Sequence, residues 1–528
     1  MKGAAMSRFS RRSLLATGLA AGGSALSGGL PLPLSGGLPL SGGFSLTGGL
    51  SLTAGAVASG TVAIVNVTVV DCAGATPRPG QTVVVRGGRI VELGRQRDIR
   101  VHGGASIVDG TGRFLIPGLH DMHVHSDDLP AIFPPLFLAN GVTTTREMSG
   151  APFLHERRRQ IEAGELLGPR MVIASPMIDG RPSLWSQFPG APFVAVSGEA
   201  EARAAVRRSA DDGADFIKVY SRLSRPDFHA VADEAHRLGL PFAGHCPDGV
   251  SMAEASDAGQ RSIEHLFWTW YSTSRRETEL RRELDALDPG GDYTAWFHQV
   301  LPLEWEAAQT FDPAKAAAQF GRLTRNGTRQ VPTLTVHKVL SRPDLFSPTD
   351  DRMRYLPAAY RQMWQWELDT LYLAGRTPTE TMRYRELFTG LQRLVGAMNR
   401  SGAPLMAGTD TGTPYVFPGF GLHDELELLV QSGLSPMDAL RSATRVPAEY
   451  LGRLASSGTV QVGKVADLVV LDGDPVADIR NTRRVHAVVI GGRLISAEQR
   501  TRMLAEVEAA AAASTAQPAA ACACHRAA

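Results

Sequence analysis

Hydrophobic and β-branched residues alternate with turn residues along two stretches of the chain, 61–116 and 463–495. In the first, 61–65 and 81–85 read as strands separated by Gly- and Pro-containing turns. In the second, 466–471 and 485–490 read the same way, with Gly491-Gly492 after them. Pairing both ends of the chain into one small β-sandwich is the simplest arrangement. Between them the pattern changes. Short apolar runs near 116–123, 142–146, 170–175, 214–220, 241–245, 262–266, 331–335 and 404–409 alternate with helical stretches such as 199–210, 225–238 and 422–431. Eight such runs with helices between them predict an α/β chain, a TIM (β/α)8 barrel carrying the composite sandwich. The expected organisation is a leader and low-complexity linker over 1–58, the sandwich from 59–117 and 457–498, the barrel over 118–456, and an Ala-rich tail over 499–528. The barrel span exceeds the ~250 residues of a minimal barrel. The surplus falls in 267–330 and 338–400, the second of which holds Tyr360, Trp364, Trp366 and Tyr372. Long connections on a barrel are commonly lids or interfaces, but an aromatic stripe on a helix is more often core, and these aromatics are read as core.

Composition narrows the function. The 528 residues are 43% hydrophobic and 20% charged, an ordinary globular balance. A net charge of +1 offers no electrostatic case for nucleic acid or an anionic membrane. Cys72, Cys246, Cys522 and Cys524 are too few and scattered for a disulfide framework, and the last two sit in a tail read as disordered. Near the start, Arg11-Arg12 precede a weakly apolar stretch, the pattern of a twin-arginine export signal. Gly and Pro in the following linker break any helix, so stable membrane insertion is not expected. The expected location is periplasmic or secreted, with the export machinery as a partner and cleavage after Ala56 or Ala58; a homo-oligomer is left open.

The chemistry lies at the ends of the apolar runs. After Phe114-Leu115-Ile116 comes Pro117-Gly118-Leu119-His120-Asp121-Met122-His123-Val124-His125. Side chains at i and i+2 of a strand face one way, so His123 and His125 share a face on which both imidazoles can ligate one divalent metal. The fourth run ends in Lys218-Val219-Tyr220, the fifth in Gly244-His245, the sixth in Glu264-His265, and the eighth in Thr409-Asp410. Barrel active sites sit at the carboxyl ends of the strands, so these residues aim at one mouth. His120, on the alternate face, is assigned to packing, and His423 is read as structural.

This set resembles the metal-dependent amidohydrolase superfamily, through the motifs 117–125, Phe216-Ile217-Lys218, Gly244-His245, Ser262-Ile263-Glu264-His265, Gly408-Thr409-Asp410 and Gly463-Lys464-Val465-Ala466-Asp467. The lysine after strand four is similar to that of the binuclear subgroup in which it is carbamylated, which includes prolidases, carboxypeptidases and mycotoxin amidases; imidazolonepropionases are further relatives. The resemblance implies two divalent ions, expected to be zinc. His123, His125 and Asp410 would hold one, His245 and His265 the other, and carbamylated Lys218 would bridge them. A metal-bridged hydroxide would attack an amide carbonyl, with Asp410 moving the proton. Electrostatics favours the carbamate. A protonated Lys218 at 4 Å from a divalent ion would be repelled by ~4 kcal/mol per unit charge at an effective dielectric of 20. The bland reading, a structural lysine paired with Asp215 or another carboxylate, competes with it. Tyr220 and His337 are tentative substrate-binding residues, against a core tyrosine and a solvated loop histidine. Glu147 stands after Arg146 where relatives often carry aspartate, a departure that would alter a contact behind the ligands. The expected function is hydrolysis of an amide C–N bond in a small substrate, a dipeptide or N-acyl amino acid. The alternatives are a mononuclear cyclic-amide or imidazolone hydrolase, a lactone or organophosphate ester hydrolase, and, with least weight, a non-catalytic scaffold.

Overall fold

The computed structural model describes residues 60–74, 76–188, 190–266 and 268–515. The expected export signal at Arg11-Arg12, its cleavage at Ala56 or Ala58, and Cys522 and Cys524 lie outside them.

The two β-rich ends do meet, in one connected sheet. Its order runs Arg493–Ile495, Val485–Ile490, Leu468–Leu471, Phe114–Pro117, Val62–Val69, Arg78–Arg86, Arg89–Arg95, and Ser106–Asp109 also pairs with Val62–Val69. The join between the ends is antiparallel, Val469 opposite Ile116. Side-chain alternation sorts the two faces. Leu115, Leu468, Val470 and Val489 pack with Ile64, Val83 and Val85 in one apolar cluster. Their neighbours Ile116, Val469, Leu471 and Val488 point the other way, into the main core. The far edge curls back: Ile90 N–H donates to Lys464 O at 2.9 Å and Ala466 N–H to Gly88 O at 2.8 Å. The expected two-sheet sandwich is therefore a single curled sheet, because Phe114–Pro117 pairs on both of its sides. Two Gly-Gly hairpin turns, Gly87-Gly88 and Gly491-Gly492, have positive φ throughout, as tight two-residue turns require. They also touch, so that a Cβ on Gly492 would lie 2.8 Å from Gly88 Cα.

The middle of the chain is α/β with parallel strands. Leu119–Val124, Val142–Glu147 and Arg170–Ile173 form one sheet. Ile217–Val219, Phe242–Gly244, Ser262–Glu264 and Arg329–Val331 form another, extended by Met177–Gly180 and Phe193–Val196. Those last two strands were not anticipated. Single parallel bridges join Ala174 to Phe216, Gln330 to Leu405 and Val124 to Thr411. The expected eighth strand at 404–409 is not a regular strand. Pro404 has no N–H to give a ladder, and the segment is held instead by Met406 N–H to Gln330 O at 2.9 Å and Met122 N–H to Ala407 O at 3.0 Å.

The intervening helices begin and end where their caps dictate. Arg225–Leu238 starts at Ser224, whose hydroxyl accepts from Asp227 N–H, and stops at left-handed Gly239. The Ala-rich tail holds a surprise: 497–513 is a docked helix. Ser496 and Gln499 form a capping box, Met503, Val507 and Ala511 are buried at four-residue spacing, and Arg500 Nε donates to Ala139 O at 2.5 Å. Among the described residues no helix is long and apolar enough to cross a membrane.

Candidate active site

The parallel strands deliver the ligand-type residues to one narrow cavity of about 70 Å³, lined among others by His125, Lys218, Tyr220, His245, His265 and Asp410. His123 lies just behind, fully buried. The 404–411 segment approaches the first strand closely because residue 408 is glycine: a Cβ there would sit 2.5 Å from Val331 Cγ1 and 2.9 Å from His123 Cβ. Positive φ at the non-glycine residues His265, Thr333 and Asp410 marks local strain, which costs of order 1–3 kcal/mol each and clusters at functional sites.

His123, His125 and Asp410 are gathered most tightly, with one ligand atom from each within 4.8 Å of the others. Asp410 Oδ1 lies 3.2 Å from His123 Nε2 and 3.3 Å from His125 Nε2. The His265 ring is centred 4.6 Å from that of His123 and 4.9 Å from that of His245. Behind the rings, each Nδ1 has a partner. His123 Nδ1 meets Glu264 Oε2 at 2.8 Å, His245 Nδ1 meets Ser221 Oγ at 2.8 Å, and His265 Nδ1 meets Thr333 Oγ1 at 2.8 Å. His125 Nδ1 is 3.4 Å from Ser149 Oγ. Partners on Nδ1 leave Nε2 to act as ligand atom. His123 Nε2 is buried and makes no hydrogen bond, although Asp410 is near. An unsatisfied buried imidazole nitrogen beside a carboxylate fits a cation, so the donor set passes the test for a metal.

Electrostatics agrees. Burial pushes His125 down and His245 and His265 far down, Lys218 and His123 adding to the effect on the last two respectively. Neutral imidazoles are the form that binds metal. Burial alone would raise Asp410, but His123 and His125 hold it well below the usual carboxylate range. Burial lowers the Lys218 amine to about 8. Its expected competitor as a partner, Asp215, is taken by Arg158 at 2.6 Å and by Ile173 N–H at 2.7 Å.

Some residues that shape the site were not anticipated. Glu264 is fully buried and accepts two bonds from Arg146 NH2, both 2.9 Å, besides touching His123. Arg146 also donates to Met122 O at 2.6 Å. Burial would raise Glu264, but Arg146 and His123 keep it far below its ordinary value. Asp121, raised to about 7 by burial, ties Thr409 through N–H at 3.0 Å and Oγ1 at 2.8 Å. A glutamate inside an apolar run was the one signal for Glu264; nothing local marked Ser221 or Thr333.

Tyr220 lines the cavity and stacks on His245 at 4.1 Å. His337 is neither a solvated loop residue nor part of the cavity lining. It is buried in the helix Leu334–Ser341 with Nε2 against the carbonyl of His265. The sequence after strand seven turns helical one residue beyond Thr333, which swings His337 behind the ligand cluster. His120 faces away, lining a cavity with Arg170, Arg453 and Asp467, and His423 is buried on Thr482 at 3.1 Å. Glu147 holds Ser126 through N–H at 3.0 Å and Oγ at 2.9 Å. The insertions divide: Tyr360 and Trp364 are core, as expected, but Tyr372, Tyr293 and Phe297 line the cavity.

The amidohydrolase family model matches residues 365–495. A structure from Bifidobacterium longum that carries a provisional prolidase name is 25% identical, covers 85% of this chain and 99% of its own, and superposes with a TM-score of 0.60. Bottromycin amidohydrolase is 24% identical, with 86% of this chain and 91% of its own covered and a TM-score of 0.66. Adenine deaminase of Paracoccus denitrificans is 35% identical over 69 residues, 12% of each chain. Fold and pocket together define a mixed α/β enzyme of the hydrolase class. Over residues 365–495 the chain matches the amidohydrolase family model, and its fold is similar to that of solved structures named as a prolidase and an amidohydrolase.

Proposed function

We propose that this protein hydrolyses an amide C–N bond in a small substrate, using two divalent ions, zinc by preference, on a closed (β/α)8 barrel. The observation that carries the reading is the convergence of His123, His125, Lys218, His245, His265 and Asp410 at one cavity, with imidazole Nδ1 atoms tied from behind. His123, His125 and Asp410 would hold one ion, His245 and His265 the other. Lys218, neutral in part near pH 8, would react with carbon dioxide and bridge them as a carbamate. When bound, the ions lower the pKa of water and polarise a carbonyl. Asp410 accepts the proton of the attacking water at its carboxylate and delivers it to the departing nitrogen as the C–N bond breaks. Tyr220, on the same strand face as Lys218, donates its hydroxyl to the carbonyl oxygen as charge develops there. The aromatic cavity excludes bulk water.

The compactness of the His123, His125 and Asp410 group favours a second reading, a single-ion hydrolase of cyclic amides. Elemental analysis separates the two: near two equivalents per chain are expected in active enzyme, and a reproducible single equivalent would support the alternative. The function itself is tested with a panel of amides, dipeptides and lactones. Amide hydrolysis that a chelator abolishes and zinc restores is expected; turnover of lactones alone would refute it.

Export by the twin-arginine route is also part of this reading, resting on Arg11-Arg12. Replacing both with lysine should leave unprocessed enzyme in the cytoplasm, and unchanged export would sink the idea.

A further inference from the structure

Both insertions reach the cavity, and what they bring to it is mostly carbon. Tyr293 and Phe297 stand four residues apart on the helix Tyr293–Gln309, so their rings share a face. Trp185 meets Tyr220 edge-on at 5.7 Å and lies 6.1 Å from Tyr293. Phe297 lies 5.0 Å from Tyr293, and Tyr372 lies 5.8 Å from Phe297. These five rings run as a continuous wall from beside His245, on which Tyr220 stacks, to Tyr372. Val336 and Leu340, one turn apart on the helix Leu334–Ser341, add aliphatic surface to the same lining. Glu367 also reaches it, but both of its carboxyl oxygens are buried, so the part that meets the cavity is its methylene stem. No arginine among the described residues lines the cavity.

A neutral ring fits such a surface, and a carboxylate does not. A phenyl-sized group that leaves water for an apolar wall gains roughly 10- to 100-fold in affinity. Edge-to-face contact with the rings already there adds ~2- to 10-fold over a saturated group of the same size. A carboxylate would give up its hydration with no guanidinium to replace it. We infer that the wall is a subsite for a neutral aryl group carried beside the scissile bond. The inference rests on the amide-hydrolase reading for the reaction, and narrows the small substrate to amides with an aryl side group on the acyl or the amine side.

Two experiments test it. The first reads binding without turnover, using ketones that cannot be cleaved where an amide would be. Calorimetry on the metal-loaded protein compares 4-phenyl-2-butanone with 4-cyclohexyl-2-butanone and 2-butanone. The phenyl ketone is expected to bind roughly 10- to 100-fold more tightly than 2-butanone and ~2- to 10-fold more tightly than the cyclohexyl compound. Binding no tighter than either one overturns the inference. Phe297→Ala opens the wall, so it should weaken the phenyl ketone and strengthen 4-(2-naphthyl)-2-butanone, a change of order that general destabilisation would not produce. A ratio of the two that stays at the wild-type value overturns the inference. The wild-type ketone series decides the matter by itself if the variant does not fold. The second experiment compares kcat/KM for amides that differ only in a phenyl, methyl or carboxylate group, placed on the acyl side and then on the amine side. The phenyl compound is expected to lead on one side. A preference for methyl or carboxylate on both sides overturns the inference while leaving amide hydrolysis standing. Tight binding of the phenyl ketone with no turnover of any amide would refute the hydrolase reading and leave the aryl subsite.

Discussion

The strand ends and the insertion wall face the same cavity but are built on opposite plans. At the strand ends nearly every polar atom is held by another: His123 by Glu264, Glu264 by Arg146, His245 by Ser221 and His265 by Thr333. The wall is mostly rings in edge-to-face contact, with Glu367 as its one acidic side chain. Rigid, fully bonded groups suit chemistry, which needs ligand atoms held within a fraction of an ångström. Apolar packing is less directional, and one wall can be exchanged for another without disturbing the ligands.

The sharpest way to break the comparison is at Lys218. Lys218→Ala should lose metal and activity together, below the detection limit of an amide assay. Propionate, which supplies two carboxylate oxygens in the vacated space, should restore part of both, and methylamine should not. Retention of two metals and full activity without added acid would make the lysine structural. Asp410→Asn is the next largest. It keeps an oxygen ligand but loses the base, so kcat should fall by ~10²–10⁴-fold, with metal content measured in the same sample to show that the site is still loaded.

Glu264→Gln acts one step further from the reaction. It leaves Arg146 buried without its charge partner and loosens His123, so metal affinity should drop by ~10–100-fold and stability by about 3–5 kcal/mol. Competition with a chelator and urea unfolding read the two effects. An equal change from a substitution in the ring wall, such as Phe297→Leu, would erase the proposed division of labour.

The smallest effect belongs to the insertion side. Glu304, on the helix Tyr293–Gln309, is raised to about 8 by burial. The folded chain therefore keeps a proton there that the unfolded chain releases near the ordinary glutamate value. That contribution is present at low pH and is lost as pH rises through about 8. Between pH 6 and 8 the wild type should lose about 2 kcal/mol more stability than Glu304→Gln. Urea unfolding at the two pH values measures it, and parallel losses in both proteins would show that the carboxyl is not held protonated.

Much of this was legible along the chain. Ligand-type residues at the ends of apolar runs, and the i, i+2 pair His123 and His125, follow from the two-residue period of a strand, which is a local property. Helix limits such as Ser224 to Gly239 were equally local, because caps act over a few residues. The docked helix at 497–513 has no local signature, because an Ala-rich segment reads as tail until a surface exists for Met503 and Val507 to cover. The position of His337 is non-local for a related reason: the helix that carries it starts at left-handed Thr333, which meets His265, far away in sequence. By itself, then, the sequence determined the fold class and which side chains stand at the strand ends, since period and caps are written in neighbouring residues. Only the tertiary structure decided which groups back the histidines, how the two β-rich ends close into one curled sheet, and that Glu367 and the rings of two distant insertions share a wall. Those arrangements arise from contacts between segments tens to hundreds of residues apart, and no local pattern encodes them.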